Sequence, residues 1–398
     1  MHHPAEGTTP HCAWRYCSWK RNNSTRLIDP TFSAEIRFAT LLLADRAVQT
    51  LNPAAAVVHY APTYVNLFDN RAYAKTPRNF EDAVRSLGRD FRESFGRNRS
   101  RHAFFIVSDK GACLLPRGPI YITSWGLTVP WSSMVVPKLF KPSAGGEPPC
   151  TDNRGIVIPP WLHHWHRGIF TWNASRRDLS GASSTGSIAG TAGAASRPAW
   201  ECQLFFAGSA TKRKTSWCDG GKGGSVPCYS QGVRAAVFQH HANRSDFCIA
   251  PRLPDVLYTR SRFCLAPSGE GFGDRLVRSM ASGCVPLIIQ PAVRQPFDDL
   301  LPYPAFSLRL GAAAIPRLHE ILAAITEREH ARLRAGVRRY ASAFDWAEGA
   351  YEFVRYSLCL RARGQHACEG FVPALLSRRP GSVRHHHGAR SETSAGRG

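Results

Sequence analysis

The sequence predicts an α/β fold made of two doubly wound parallel-sheet domains, and three observations support this prediction. Short apolar runs rich in β-branched and aromatic residues recur along the chain, helix-like stretches lie between them, and a segment of small residues at 180–196 divides the pattern into two halves. The apolar runs are continuous rather than alternating, which is typical of strands covered on both faces of a parallel sheet. Strands that alternate with helices indicate a doubly wound arrangement.

The predicted elements follow one another in a regular order. Strands are expected at 56–60, 103–108, 120–124, 155–158, 203–207, 261–266, 284–289 and 305–308. Helices are expected at 34–50, 80–95, 232–242, 274–282 and 313–326. A helix or strand pattern on both sides of residue 197 therefore predicts two domains.

The domain boundaries follow from composition. Residues 180–196 are almost entirely Gly, Ser, Ala and Thr, which bury too little surface to fold, so we expect a linker there. We divide the chain into an N-terminal segment (1–25), an N-terminal α/β domain that ends in this linker (26–197), a C-terminal α/β domain (198–357) and a largely disordered tail (358–398). Two disulfides, Cys218–Cys228 and Cys359–Cys368, are also expected.

Length and composition exclude several classes of protein. The chain has 398 residues, of which 43% are hydrophobic, so it is too large for a small disulfide scaffold and too apolar for global disorder. No apolar run approaches the roughly 20 residues of a membrane helix, and the N-terminus has no secretory signal. Five Asn-x-Ser/Thr sequons and 12 cysteines nevertheless suit a lumenal protein. A sequence truncated at its N-terminus would explain both observations.

The net charge of +22 has two readings. Only 8 of the 51 basic residues are lysines, and the arginine surplus indicates either a polyanionic partner or the codon bias of a GC-rich genome. A nucleic-acid module clusters its basic residues with interleaved aromatics, whereas most of these are scattered along the chain. The sequence therefore predicts no nucleic-acid partner.

The segment 260–289 carries the strongest functional pattern. A strand runs into Pro-Ser-Gly-x-Gly-x-Gly, a helix begins near Asp274, and Gly283 ends that helix before the next strand. Gly269, Gly271 and Gly273 allow the backbone to approach a ligand, and the helix N-terminus offers free N–H groups. Arg275 in the first helical turn adds a guanidinium suited to phosphate oxygens. This pattern predicts a phosphate or diphosphate site, and the alternative is a tight β–α connection without a ligand.

Two common nucleotide motifs do not fit this segment. Its glycine spacing differs from the dinucleotide fingerprint, and no Gly-Lys-Ser/Thr follows as in a Walker loop. The leaving group of a nucleotide diphosphate remains the expected ligand. No Asp-x-Asp occurs to hold a metal against a sugar nucleotide, and His163, His164 and His166 lack a partner ligand at metal-binding spacing. Cys264 and Cys284 are expected to be small core residues.

Asp109 is the candidate catalytic base. It follows the buried strand at 103–108, and open α/β sheets bind ligands at the carboxyl ends of their strands. Asp109 would deprotonate an acceptor hydroxyl there. The alternative is that its side chain only caps the following turn.

Together these stretches resemble the exostosin-like glycosyltransferases, family 47 of the inverting sugar transferases. The similarity extends from about Arg15 to Tyr356, and its most specific blocks are Phe-Phe-Ala-Gly at 205–208 and Phe-Cys-Leu-x-Pro-x-Gly followed by Gly-Cys-Val-Pro at 263–286. The resemblance implies a GT-B architecture of two facing α/β domains, with a UDP-sugar bound mainly by the C-terminal one. It also implies a Golgi membrane protein that builds polysaccharides.

The resemblance implies a set of partners and donor-binding residues. The partners are a nucleotide sugar and a glycan or glycoprotein acceptor, with no tightly bound cofactor, no required metal and membrane attachment only through an N-terminal anchor missing from this chain. The donor-binding candidates are Gly208, Lys212, Arg213, Ser268, Gly269, Glu270, Gly271, Arg275 and Arg278. Lys212 and Arg213 follow the strand at 203–207 and are expected to reach the same anion as Arg275.

Arg278 is the main departure from the family pattern. Family members usually carry a glutamate three residues after the arginine of the turn, thought to hold the ribose. Here that position is Arg278, and a cation cannot accept two hydroxyl hydrogen bonds. Either Glu270 or another group compensates, or the donor differs, or activity is impaired. The last possibility leads to an alternative function, that of a catalytically degenerate protein that assists an active transferase.

Overall fold

The computed structural model describes 11–13, 16–21, 24–28, 34–62, 80, 89–107, 111–113, 115–130, 149–162, 200–210, 229–269, 271 and 273–377. Within these residues, two parallel sheets flanked by helices form the two halves of an α/β molecule, as in a GT-B-like fold. The predicted fold class is therefore confirmed.

The first sheet has four parallel strands in the order β4-β5-β6-β8. They are β4 (His59–Ala61), β5 (His102–Ile106), β6 (Ile120–Thr123) and β8 (Ile156–Val157). Every residue of β5 and β6 is buried, which explains why their sequences do not alternate. Helices α1 (Ala34–Ala44) and α2 (Arg89–Arg97) belong to this half.

The second sheet has five parallel strands in the order β10-β9-β11-β12-β14. They are β9 (Cys202–Ala207), β10 (Phe247–Ala250), β11 (Ser261–Pro267), β12 (Val285–Ile289) and β14 (Leu308–Arg309). The central strands β11 and β12 are buried along their whole length. Because all five strands are parallel, their carboxyl ends lie along one edge of the sheet.

The helices of the second half connect and cover these strands. They are α3 (Val233–His241), α4 (Leu257–Arg260), α5 (Arg275–Ser282), α6 (Leu318–Ala324), α7 (Glu327–Tyr340), α8 (Ala350–Arg363) and α9 (Ala374–Ser377). The expected boundary at 357 falls inside α8, so helical structure continues beyond it to Ser377. Phe353 and Val354 of α8 are fully buried in the core, which explains why the chain stays ordered there.

Two short strands join the halves. The antiparallel pair of β7 (Gly126–Leu127) and β13 (Val293–Arg294) connects a segment of the first half to one of the second. Trp346 also donates its indole N–H to the carbonyl of Pro159 at 2.9 Å, and the Asp45 carboxylate accepts hydrogen bonds from Tyr351 and Arg355 of α8 at 2.9 Å each. Both halves contribute to one continuous apolar core. A separate antiparallel sheet contains β1 (His11–Ala13), β2 (Tyr16–Arg21) and β3 (Ser24–Ile28).

Four disulfides lie within the described residues: Cys113–Cys150, Cys202–Cys248, Cys264–Cys284 and Cys359–Cys368. The predicted pairing of Cys359 with Cys368 is confirmed. Cys264 and Cys284 are buried core residues, as predicted. Their disulfide was not predicted: Cys264 lies on β11 and Cys284 comes just before the neighbouring strand β12. Cys218, Cys228 and His163, His164 and His166 lie outside the described residues.

Candidate functional site

The predicted strand–turn–helix unit at 261–282 is present at the carboxyl edge of the second sheet. β11 ends at Pro267, the glycine-rich turn (residues 268–273) follows, and α5 begins at Arg275 after the N-cap residue Asp274. Gly283 ends α5 with φ of 72°, a left-handed conformation that glycine adopts readily. Each of these three features was predicted from the sequence.

Arg275 lies across the end of strand β9. Its guanidinium donates two hydrogen bonds to the carbonyl of Ala207, from Nη2 at 2.7 Å and from Nε at 3.2 Å. The guanidinium carbon lies 5.2 Å from the centre of the Phe206 ring, an arrangement that favours a cation over an aromatic face. These contacts hold the positive charge beside the glycine-rich turn.

Gly208 makes room for this arginine. A Cβ atom at position 208 would lie 2.5 Å from Nη2 of Arg275, closer than van der Waals contact permits. The predicted donor-binding residue Gly208 therefore lies in direct contact with Arg275. Its missing side chain allows the guanidinium to lie flat against the end of β9.

A second arginine, Arg234 of α3, reaches the same place and was not predicted. It is 3% exposed, and its Nε donates to the carbonyl of Ser268 at 3.0 Å. Its Nη1 donates to the hydroxyl of Tyr229 at 2.8 Å, and its guanidinium carbon lies 5.5 Å from the centre of the Phe206 ring. Arg234 and Arg275 therefore contact the same aromatic ring, and Arg234 is also bonded to the first residue of the glycine-rich turn.

The pKa of Arg234 reflects both its burial and its proximity to Arg275. Burial lowers its pKa, and the nearby charge of Arg275 lowers it further, to about 10. An anion bound between two neighbouring guanidinium groups would relieve this repulsion. The sequence held one signal for Arg234: it shares the buried face of α3 with Val233, Val237 and His241, where a charged residue is unexpected.

Ser268 contributes a polar group at the start of the turn. The residue is fully buried, and its hydroxyl has no hydrogen-bond partner among the residues that the structure describes. Its carbonyl accepts hydrogen bonds from Ser230 at 2.7 Å and from Arg234 at 3.0 Å. The turn also contains Gly269 and the buried Gly271, whose carbonyl accepts a hydrogen bond from the backbone N–H of Gly269 at 3.2 Å. Two side-chain hydrogen bonds therefore hold the start of the turn against Arg234 and Ser230.

Arg278 points to two carboxylates. Its Nε donates to Asp274 at 2.6 Å, and its Nη1 lies 3.3 Å from Asp255. Burial would lower the pKa of Arg278, but the charge of Asp274 opposes this effect and the pKa is raised overall. Asp274 also lies 3.8 Å from Nη1 of Arg275. Three guanidinium groups, of residues 234, 275 and 278, therefore share this region with two carboxylates.

Four predicted site residues, Asp109, Lys212, Arg213 and Glu270, lie outside the described residues. The structure places the other predicted residues, Gly208, Ser268, Gly269, Gly271, Arg275 and Arg278, at the carboxyl ends of β9 and β11 or on α5, next to one another. Within the described part of the chain, no group of three or more His, Cys, Asp and Glu residues is arranged to hold a metal ion.

Comparison with known proteins identifies this region. Residues 192–325, which contain the whole of the site above, match the family model described as "Exostosin GT47 domain". A probable glucuronosyltransferase of Oryza sativa subsp. japonica is 26% identical over 308 residues, which cover 75% of this chain and 63% of that protein. A probable glucuronoxylan glucuronosyltransferase of Arabidopsis thaliana is 26% identical over 313 residues, covering 75% and 59%.

A shorter match is closer in sequence. A probable glycosyltransferase of Arabidopsis thaliana is 36% identical over 114 residues, which cover 27% of this chain and 24% of that protein. This chain thus spans less than two thirds of the length of each of these three relatives.

Proposed function

With its exostosin GT47 domain at residues 192–325, the chain is an exostosin-like protein of glycosyltransferase family 47, and we propose that it is an inverting glycosyltransferase. It transfers a sugar from a UDP-sugar to a hydroxyl group of a glycan. The acceptor oxygen forms a bond to the anomeric carbon as the bond from that carbon to the diphosphate oxygen breaks. The acceptor loses its proton to a base, and the diphosphate leaves as UDP.

The observation that carries this proposal is the meeting of Arg234 and Arg275 on the ring of Phe206: Arg234 is bonded to Ser268 of the glycine-rich turn, and Arg275 lies in the first turn of the helix that follows. Negative charge develops on the diphosphate as the bond to the sugar breaks, and fixed positive groups stabilise that charge without reorganising. The N-terminus of α5 adds a partial positive charge. We propose that these groups replace a metal ion in balancing the charge, so that transfer persists when a chelator such as EDTA is present.

Asp109 remains the proposed base. β5 ends at Ile106, so residue 109 follows the carboxyl end of a central strand of the first sheet. Ligands of open α/β sheets bind at such ends, and a carboxylate there can accept the proton of the acceptor hydroxyl.

A second candidate function rests on Arg278. In the structure its guanidinium is bound to Asp274 and Asp255, so the position offers no carboxylate to a ribose. A degenerate family member that binds and assists an active transferase would carry such a change. Restored transfer in an Arg278→Glu variant of an inactive natural protein would support this function, whereas full activity of the natural protein would exclude it.

We also propose that the protein functions in the Golgi lumen. Disulfides persist in oxidising compartments such as the secretory pathway, and four of them lie in the described residues. Among those same residues, no helix is both long and apolar enough to cross a bilayer.

Calorimetric titration of the protein with UDP tests the diphosphate site. Arg275→Ala is expected to weaken UDP binding by roughly 10- to 100-fold, because a charge-assisted hydrogen bond contributes about 1.5–3 kcal/mol. Arg328→Ala, an exposed arginine on α7, is the matched control and should leave the affinity unchanged. Equal UDP affinity in the unmodified protein and the Arg275→Ala variant, with both folded, would refute the phosphate role.

A further inference from the structure

A cavity with both polar and apolar walls lies at the same edge of the second sheet, next to the strand that precedes the glycine-rich turn. Its volume is about 290 Å³, and residues at the carboxyl ends of β12 and β14 line it together with residues from 292–298. Thr128, which follows β7 of the first half, forms another part of its wall. The cavity is therefore located where the two halves of the molecule meet.

The side chains that line the cavity are fixed by hydrogen bonds. Gln295 is 3% exposed, and its amide nitrogen donates to the carbonyl of Val293 at 3.1 Å and to Oε1 of Gln290 at 3.3 Å. With both amide protons used, Oε1 of Gln295 is the atom of this group that accepts further hydrogen bonds. Its orientation is thus set before any ligand arrives.

Three charged residues line the cavity, Arg294, Asp298 and Arg309. Arg294 donates from Nη1 to the carbonyl of Asp152 at 2.9 Å, and the other two form an ion pair. Asp298 accepts hydrogen bonds from Nη2 of Arg309 at 2.6 Å and from Nη1 at 3.2 Å, and its Oδ2 also accepts one from the backbone N–H of Gln295 at 3.3 Å. The guanidinium of Arg309 in turn lies 4.0 Å from the centre of the Tyr303 ring. The carboxylate and the guanidinium therefore present both acceptors and donors at fixed positions.

One hydrogen bond connects this cavity to the proposed diphosphate site. Nε2 of Gln290 donates to the carbonyl of Ala266 at 3.0 Å, and Ala266 lies two residues before Ser268 of the glycine-rich turn. β11 and β12 are neighbouring strands in which Pro267 pairs with Ile289. A group attached to a diphosphate at the turn would thus need to cross only one strand spacing, about 5 Å, to enter the cavity.

We infer that this cavity binds a single pyranose ring, with Gln295 and Asp298 accepting hydrogen bonds from its hydroxyl groups. The inference rests on the proposed function and adds the residues that hold the sugar. The cavity volume of about 290 Å³ lies just below the range for drug-sized ligand pockets, roughly 300–1,000 Å³, which suits one ring. Fixed amide, carboxylate and guanidinium groups match hydroxyls that both donate and accept. The ring belongs either to the UDP-sugar or to the terminal unit of the acceptor glycan.

Calorimetric titrations distinguish these two sources. The probes are UDP, three UDP-sugars (UDP-glucuronic acid, UDP-galactose and UDP-xylose) and the methyl glycosides of the same three sugars. Gln295→Leu preserves the buried volume but removes the amide, so we expect a three- to tenfold loss of affinity for the sugar-bearing probe, with UDP affinity within twofold. A loss confined to a UDP-sugar assigns the ring to the donor, and a loss confined to a glycoside assigns it to the acceptor.

Two further variants keep the test decisive. Thr128→Trp fills the cavity from its rim and should have the same effect if Gln295→Leu fails to fold, and Gln365→Leu, at an exposed position, is the matched control. The inference is overturned if the cavity variants leave the affinity for every UDP-sugar and every methyl glycoside unchanged. It is also overturned if no UDP-sugar binds the natural protein more tightly than UDP does and no methyl glycoside binds it. Absence of UDP binding to the natural protein would instead refute the proposed function, while the glycosides still test the cavity.

Discussion

Arg234 and Arg275 are an arginine pair built around one phenylalanine. Both guanidinium groups lie over Phe206, and each is anchored to a backbone carbonyl at a strand end, Ser268 for one and Ala207 for the other. The carboxylate of Asp274 lies closer to Arg278, at 2.6 Å, than to Arg275, at 3.8 Å, so its charge neutralises mainly Arg278. The excess positive charge therefore remains next to the turn, where an anion can bind.

Gly208→Ala tests whether UDP binding depends on the position of the Arg275 guanidinium. The new methyl group would displace the guanidinium from the carbonyl of Ala207, because it would lie 2.5 Å from Nη2. We expect UDP affinity to fall by about tenfold while the unfolding free energy falls by about 1 kcal/mol, the value of one lost hydrogen bond. Calorimetry and thermal unfolding measure the two effects. Unchanged UDP affinity would show that the position of Arg275 is not critical.

His330 makes folding stability depend on pH. It is 2% exposed, its Nε2 lies 2.9 Å from the carbonyl of Arg262, and burial, together with nearby arginines, lowers its pKa to about 4. The unfolded chain therefore binds a proton below about pH 6.5, whereas the folded protein resists it until about pH 4. The free energy of unfolding should fall by about 3 kcal/mol from this residue as the pH drops from 7 to 4.

Denaturant unfolding at several pH values isolates this contribution. His330→Gln removes the titrating group, so the variant should lose less stability between pH 7 and pH 4 than the natural protein. His366→Gln, at an exposed position, is the control and should retain the natural slope. An unaltered slope in His330→Gln would contradict the assignment.

At the scale of the element, helix α7 packs closely enough to require a glycine. A Cβ atom at Gly336 would overlap the carbonyl oxygen of Ala305. Gly336→Ala should therefore lower the unfolding free energy by about 1–3 kcal/mol, although alanine favours helices. Gly311→Ala is a control, because a Cβ there meets nothing within 4 Å. Equal thermal stability of the two variants would show that α7 can shift to accommodate the methyl group.

The elements around the site were predicted well because their signals are local. β11, α5 and β12 fall within one residue of the ranges expected from apolar runs, the turn glycines and the helix stop at Gly283. The strand expected at 305–308 is wrong for most of its length: Ala305 ends a 3₁₀ helix that begins at Tyr303, and the strand β14 contains only Leu308–Arg309. Helix α7 was missed because its exposed face is rich in charge and its apolar positions are few.

The contacts that complete the site could not be predicted, because they join distant parts of the chain. Arg234 meets Ser268 across 34 residues, and Cys264 pairs with Cys284 only because β11 and β12 are neighbours. Pairings of this kind depend on strand order, which residue patterns do not specify. The cavity could not be predicted either, because its lining residues come from both halves of the chain.

At the scale of the whole molecule, α8 fastens the end of the second half to the first. Tyr351 and Arg355 bind the carboxylate of Asp45; although burial of Asp45 opposes them, these two groups hold its pKa below the usual value. These bonds help to hold the two halves together, and the cavity has lining residues from both halves. The proposed transfer of a sugar between groups held by different halves would depend on that arrangement.

The central claim, that this chain transfers a sugar from a UDP-sugar, is tested most directly by mass spectrometry of a glycan acceptor panel. Protein produced in an oxidising secretory compartment is incubated with each acceptor and each of several UDP-sugars. The account predicts a mass increase of one sugar residue for at least one pair, with UDP released in equal amount, and loss of both signals in Arg275→Ala. Absence of both products across the panel, from folded protein that binds UDP, would contradict it.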